Sequence, residues 1–177
     1  WAEYGEDMGV LAGDALMIYA FEVAAKAFKE VSDADDLKRV GRAIEILASK
    51  TGIYGMIGGQ TVDVELAGGP IPKNKLDFIY RLKTGALIEA SMLIGAVLGG
   101  AAEEDCKIVE SLAGKVGLAF QIQDDILDVT GDQEVLGKEA GSDEKNQKTT
   151  YVTLEGLEKA KKDVEALSVQ AIEDLNK

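Results

Sequence analysis

Three aspartates sit inside one apolar stretch, Gly117–Gly131 (G-L-A-F-Q-I-Q-D-D-I-L-D-V-T-G), and the stretch contains no proline. Read as a helix of about 3.6 residues per turn, it stacks Asp124 and Asp128 one above the other. Asp125 then faces Asp128 at i,i+3, and Gln121 lies one turn before Asp124. Phe120, Ile122, Ile126, Leu127 and Val129 point elsewhere and are available for burial. Carboxylates about 6 Å apart repel by roughly 0.7 kcal/mol in water and about 3 kcal/mol at an effective dielectric of 20. A packed helix needs something to offset that repulsion. A hard divalent cation with oxygen ligands, Mg2+ in particular, is the natural candidate, and a solvated acidic patch is the plainer alternative.

The surrounding chain fits a helical frame. Pro70 and Pro72 are the only prolines, and both lie in the loop G-G-P-I-P-K-N. Apolar residues recur at helical spacing almost throughout, without a period-two strand pattern. Five main helices are predicted, over Glu6–Lys29, Asp35–Leu66 (with a break near Gly58-Gly59), Lys75–Leu98, Glu103–Thr130 and Leu154–Asn176. The third is entered through Asn74, with Asp77 three residues on in a capping-box arrangement. A polar loop, Asp132–Thr149, separates the last two helices and is expected to close over a site when ligand binds. With 177 residues, 46% of them hydrophobic, the expectation is a single all-α domain over 1–177, an antiparallel helical bundle.

Charge and composition remove several functions. A net charge of −13 argues against nucleic acid or an anionic membrane as partner. The chain has no histidine, which excludes Ser-His-Asp triads, H-E-x-x-H zinc sites and a histidine base. The single cysteine, Cys106, excludes a disulfide scaffold and fits a reducing, cytoplasmic setting with no secretory leader. Gly85–Ala102 reads as the only apolar run of membrane length; with Glu89 inside it, a buried core helix is expected, without stable membrane insertion.

Polar groups interrupt the apolar stripes of three helices. Gln60 falls among Ile53, Ile57 and Val64, with Asp63 beside it. Lys83, followed by Thr84, falls within Leu76, Tyr80, Leu87 and Ala90. Gln121, Asp124 and Asp128 continue the run Ala113, Gly117, Phe120. Unpaired buried charge is costly, so these groups together point to one polar cavity inside the bundle. Lys138, Lys145 and Lys148 follow the carboxylates. Carboxylates for a metal and lysines for the remaining oxygens suit a Mg2+-bound polyphosphate.

Five strings carry a resemblance: G-E-D-M-G-V-L-A-G-D-A-L (5–16), G-G-Q-T-V-D (58–63), K-T-G-A-L (83–87), F-Q-I-Q-D-D-I-L-D (120–128), and G-K-E-A-G-S-D with N-Q-K-T-T-Y (137–143, 146–151). In these the chain resembles the trans-isoprenyl diphosphate synthases of the farnesyl and geranylgeranyl type, all-helical enzymes of the isoprenoid synthase fold. The resemblance implies a prenyltransferase that condenses isopentenyl diphosphate with an allylic diphosphate through a Mg2+-assisted allylic carbocation. It implies Asp124, Asp125 and Asp128 as metal ligands, with Asp124 foremost. Lys83, Lys138 and Lys148 would hold diphosphate oxygens, Thr84 and Gln121 would stabilise the cation, and Gln60 and Asp63 would line the same cavity. A homodimer is also implied. The family's first aspartate-rich motif has no counterpart here, so the chain resembles the latter part of a member, incomplete at the N-terminus and inactive by itself. The alternatives are a non-catalytic partner or regulatory subunit of such a synthase, and a class I terpene cyclase.

Overall fold

The computed structural model describes residues 2–131 and 148–177. Among the described residues the fold is all-α, with no strand. The elements are α1 (Glu6–Lys26), a 3-10 turn (Ala27–Lys29), α2 (Ala34–Thr51), α3 (Met56–Glu65), α4 (Lys73–Ile79), a π-helical segment (Tyr80–Gly85), α5 (Ala86–Leu98), α6 (Glu103–Thr130), α7 (Tyr151–Glu155) and α8 (Leu157–Leu175).

Local chemistry sets the boundaries. Asp33 caps α2, its Oδ1 accepting from the N–H groups of Asp35 (3.0 Å) and Asp36 (2.9 Å). The break in the second predicted helix falls at Gly52–Gly55, earlier than Gly58-Gly59. The chain folds back tightly there: a Cβ on Gly55 would lie 2.0 Å from the Lys50 carbonyl oxygen. The third helix begins at Lys73 behind Pro72, whose φ of −68° and ψ of 149° suit a helix entrance. The Asn74 cap is therefore not formed, and Asp77 instead accepts from Lys73 Nζ at 2.7 Å. Gly156, at φ 85°, separates α7 from α8 where one helix from Leu154 was expected. A positive φ of this kind favours glycine and stops the helix.

The largest core cluster joins α4, the π segment, α6, α7 and α8 through Leu76, Ile79, Tyr80, Ile122, Tyr151 and Ala160. Ile122 is fully buried, and such a side chain contributes about 1.5–3 kcal/mol relative to exposure. A second cluster, Leu93, Val97 and Cys106, joins α5 to α6. Ammonium Nζ of Lys50 reaches Glu89 at 2.6 Å and Glu110 at 2.9 Å, tying α2 to both. Burial lowers the pKa of Lys50, but the two carboxylates outweigh it and hold the value above that of an ordinary lysine.

Several expected stripes are not buried. α5 packs through Ala86, Ala90, Leu93 and Val97, leaving Leu87 40% exposed. Ile53, Val64, Phe120 and Val129 are also exposed. α1 buries no side chain at all. Its segment Glu6–Lys29, rather than Gly85–Ala102, is the one long and apolar enough to cross a membrane by length and composition among the described residues.

Candidate active site

The site forms where α3, the π segment, α6 and the strand of chain entering α7 meet. Lys83 is carried by the π segment, the one place where α-helical spacing is interrupted within that helix. π turns of this kind occur disproportionately at functional positions. The ammonium of Lys83 donates to Asp63 Oδ2 at 2.6 Å, so α3 supplies the counter-charge. The next residue, Thr84, donates its hydroxyl to Gln121 Oε1 at 2.8 Å. This bond uses the Thr84 proton and leaves the oxygen lone pairs available.

Lys83, Gln121, Asp63, Tyr80, Lys148 and Thr149 line a small cleft. Asp63, Lys148 and Thr149 also border an adjoining cavity of about 240 Å3 floored by Leu66 and Ile71. Two helices approach closely to build this arrangement. A Cβ on Gly59 would stand 2.4 Å from the Lys83 backbone nitrogen, and one on Gly117 would stand 2.9 Å from the Gly85 Cα. Only glycine permits these contacts, so α3 and α6 both seat against the π segment.

The aspartates divide. Asp124 is partly exposed, one turn beyond Gln121, while Asp125 and Asp128 are buried at 2% and 4% exposure. Consecutive helical residues lie about 100° apart, so Asp124 and Asp125 cannot share a face. Asp125 falls on the core face, where its Oδ2 accepts from the Tyr80 hydroxyl at 2.5 Å and the Tyr151 N–H at 2.8 Å. Among the described residues, no three acidic or cysteine side chains gather as ligands for one ion. The remaining donor set is oxygen only, with Asp124 accessible to water, and it fits a Mg2+ ion that keeps much of its hydration.

Gln60 is not brought to the Lys83 cleft. It borders a separate hollow with Met56, Ile57, Thr61 and Val64. Lys138, Lys145 and the proposed closing loop, apart from Lys148 and Thr149, lie outside the described residues. Tyr80 and Tyr151 were missed as partners of Asp125: Tyr80 read as an ordinary stripe residue, and no spacing rule links it to residue 151.

A family profile described as polyprenyl synthetase matches residues 1–176. Farnesyl diphosphate synthase from Escherichia coli (strain K12) is 44% identical over 162 residues, 90% of this chain and 53% of that protein. Geranylgeranyl diphosphate synthase from Cyanophora paradoxa is 43% identical over 173 residues, 97% of this chain and 56% of that protein. The crystal structure of geranyltransferase from Helicobacter pylori, complexed with magnesium and isoprenyl diphosphate, matches with a TM-score of 0.83 and 36% identity. That match covers 99% of this chain and 55% of the other. The chain thus spans about half the length of these relatives. With the profile matched end to end and the helices superposed on a relative of known structure, the chain belongs to the polyprenyl synthetase family.

Proposed function

We propose that the chain carries the diphosphate-binding and cation-stabilising side of a farnesyl or geranylgeranyl diphosphate synthase, condensing isopentenyl diphosphate with an allylic diphosphate. The observation that carries this reading is the gathering of Lys83, Lys148, Asp63 and Gln121 around one cleft, with Asp124 one turn along α6. Asp63 holds the Lys83 ammonium in place before an anion arrives, and a diphosphate oxygen would replace that carboxylate. Lys148 approaches the same cleft from the segment before α7. The Thr84 oxygen and Gln121 amide present dipoles to a developing allylic cation without offering it a strong nucleophile, the requirement for preorganised electrostatic stabilisation. Asp124, with Asp128 one turn on, are the residues that would hold Mg2+. When bound, that ion would supply positive charge to the departing diphosphate. A cytoplasmic, homodimeric enzyme belongs to the same proposal, supported by the lone buried thiol and by the uncovered apolar surface of α1.

The test is a chimera in which this chain replaces the matching segment of the Escherichia coli farnesyl diphosphate synthase. Isopentenyl incorporation into a longer prenyl diphosphate is the expected outcome. Lys83→Ala and Asp124→Ala should each lower kcat by about 10²–10³, the usual effect of removing one preorganised electrostatic contact. A folded chimera that binds prenyl diphosphate but elongates nothing would overturn the catalytic reading in favour of a non-catalytic subunit. A cyclised product would favour a cyclase.

A further inference from the structure

Asp125 is the second carboxylate of the D-D-x-x-D string, yet its surroundings differ from those of its neighbour. Its side chain is 2% exposed and lies within the main core, beside Ile122 and Ile126. One oxygen, Oδ2, accepts from two donors on two other elements: the hydroxyl of Tyr80 at 2.5 Å and the backbone N–H of Tyr151 at 2.8 Å. The Tyr151 N–H also approaches the Tyr80 oxygen at 3.3 Å, closing the triangle. Its Oδ2 is thus already engaged by two protein donors, whereas Asp124, one residue back, is partly exposed to the water that a reluctantly dehydrating Mg2+ ion keeps around it.

The two donors are significant for where they sit. Tyr80 opens the π segment that carries Lys83 and Thr84. Tyr151 is the first residue of α7, directly after Lys148, Thr149 and Thr150. Its N–H is one of those that a helix start leaves without an internal partner, so an acceptor from elsewhere must be found. The Thr150 side chain accepts from the Thr153 N–H at 3.2 Å and fixes the same turn. One carboxylate on α6 thus ties together the segments that present Lys83 and Lys148, and it does so next to Asp124.

We propose that Asp125 is a positioning residue rather than a metal ligand: it sets Lys83 and Lys148 against Asp124 by clasping Tyr80 and Tyr151. The proposal rests on the reading of Asp124 as a metal ligand and of the two lysines as diphosphate contacts. An amide oxygen can accept the same two hydrogen bonds, whereas a metal ligand cannot be neutralised without loss of affinity. The asparagine variant therefore separates the two roles.

The experiment uses the full 177-residue chain, with Mn2+ and inorganic pyrophosphate as probes, and follows bound Mn2+ by electron paramagnetic resonance. Asp125→Asn should keep Mn2+ affinity within about twofold of the parent, while Asp124→Asn should weaken it by about tenfold or more, a difference well resolved on the affinity scale. Asp125→Ala should weaken pyrophosphate binding, and amide exchange at Tyr151 should lose its protection; Asp125→Asn should restore both. Where the alanine variant does not fold, Tyr80→Phe takes its place. That variant removes one of the two donors and should weaken pyrophosphate binding severalfold while leaving binding of Mn2+ alone unchanged. Loss of Mn2+ in Asp125→Asn to the extent seen in Asp124→Asn would overturn the proposal and leave the metal-site reading standing. Undiminished Mn2+ binding in both would overturn the metal-site reading, and the proposal with it. Unchanged pyrophosphate affinity in a folded Asp125→Ala or Tyr80→Phe would overturn the positioning role alone.

Discussion

Gly117 and Gly85 touch where α6 crosses the π segment, and the contact is between backbones, which have no rotamer with which to yield. Gly117→Ala would bring a methyl carbon to 2.9 Å from the Gly85 Cα. Overpacking of this kind costs about 1–3 kcal/mol. The thermal midpoint should fall by several degrees in a circular dichroism melt, since 1 kcal/mol corresponds to about 2–4 °C in a domain of this size. Gly13→Ala, in the open space around α1, is the control and should be neutral or stabilising. Tyr151 offers a second residue-level test. Burial and the hydrogen bond from its hydroxyl to Asp163 push its pKa up to about 12. The folded state favours the neutral phenol, so this contribution is complete below the ordinary tyrosine value of about 10 and is lost as pH rises through about 12. Ultraviolet titration should show one tyrosine ionising near pH 12, and that transition should vanish in Tyr151→Phe.

At the scale of elements, α8 is fastened to α6 by Asp174. Its carboxylate accepts from Lys115 Nζ, from Lys177 Nζ at 2.6 Å and from Ser111 Oγ at 2.9 Å. These bonds, Lys115 foremost, hold its pKa well below the usual carboxylate range. A depressed folded pKa stabilises above the unfolded value of about 4, and the contribution is lost as pH falls through the folded one. Asp174→Asn should therefore lower the thermal midpoint at pH 6, and the gap from the parent should narrow as the pH is taken below about 4. A gap that is constant across that range would mean that the fastening does not depend on charge. The same logic explains why the last helix is two pieces. α7 is held by Asp125 and Tyr80, α8 by Asp174, and Gly156 absorbs the change of direction between them.

At the scale of the whole molecule, the described helices leave a large apolar surface uncovered. Along α1, Leu11 is 58% exposed, Leu16 70% and Ile18 69%; on α6, Phe120 is 58% exposed. Large apolar side chains exposed in such number along one helix favour a covering surface. In sedimentation, the 177-residue chain should run above monomer mass at micromolar concentration, and Leu16→Glu with Ile18→Glu should return it toward the monomer. The same chain by itself should not incorporate isopentenyl diphosphate in a radiochemical assay. The chain spans about half the length of its relatives, and on the proposed reaction each electrostatic contact missing around the leaving diphosphate would cost about 3–4 kcal/mol at the transition state. Steady elongation by the chain alone would contradict this.

The sequence by itself determined the helical class, the extent of α6 over Glu103–Thr130, and the residue types of the site. Helical periodicity and the absence of proline outside one loop are local properties, and so is a charge placed within an apolar stripe. The pairings Lys83–Asp63 and Thr84–Gln121 were legible only as members of one polar cavity, and the structure made them specific bonds. Tertiary structure alone decided which aspartate faces water, which hollow Gln60 borders, and that the helix bearing Lys83 relaxes into a π turn. Each depends on contacts between residues far apart in the chain. Asp125 and Tyr151 meet because α6 and α7 pack against the same tyrosine, and Gly117 matters because Gly85 lies opposite. Spacing along a helix sets the angle at which a side chain leaves it; the neighbour it meets there is set by how the helices pack.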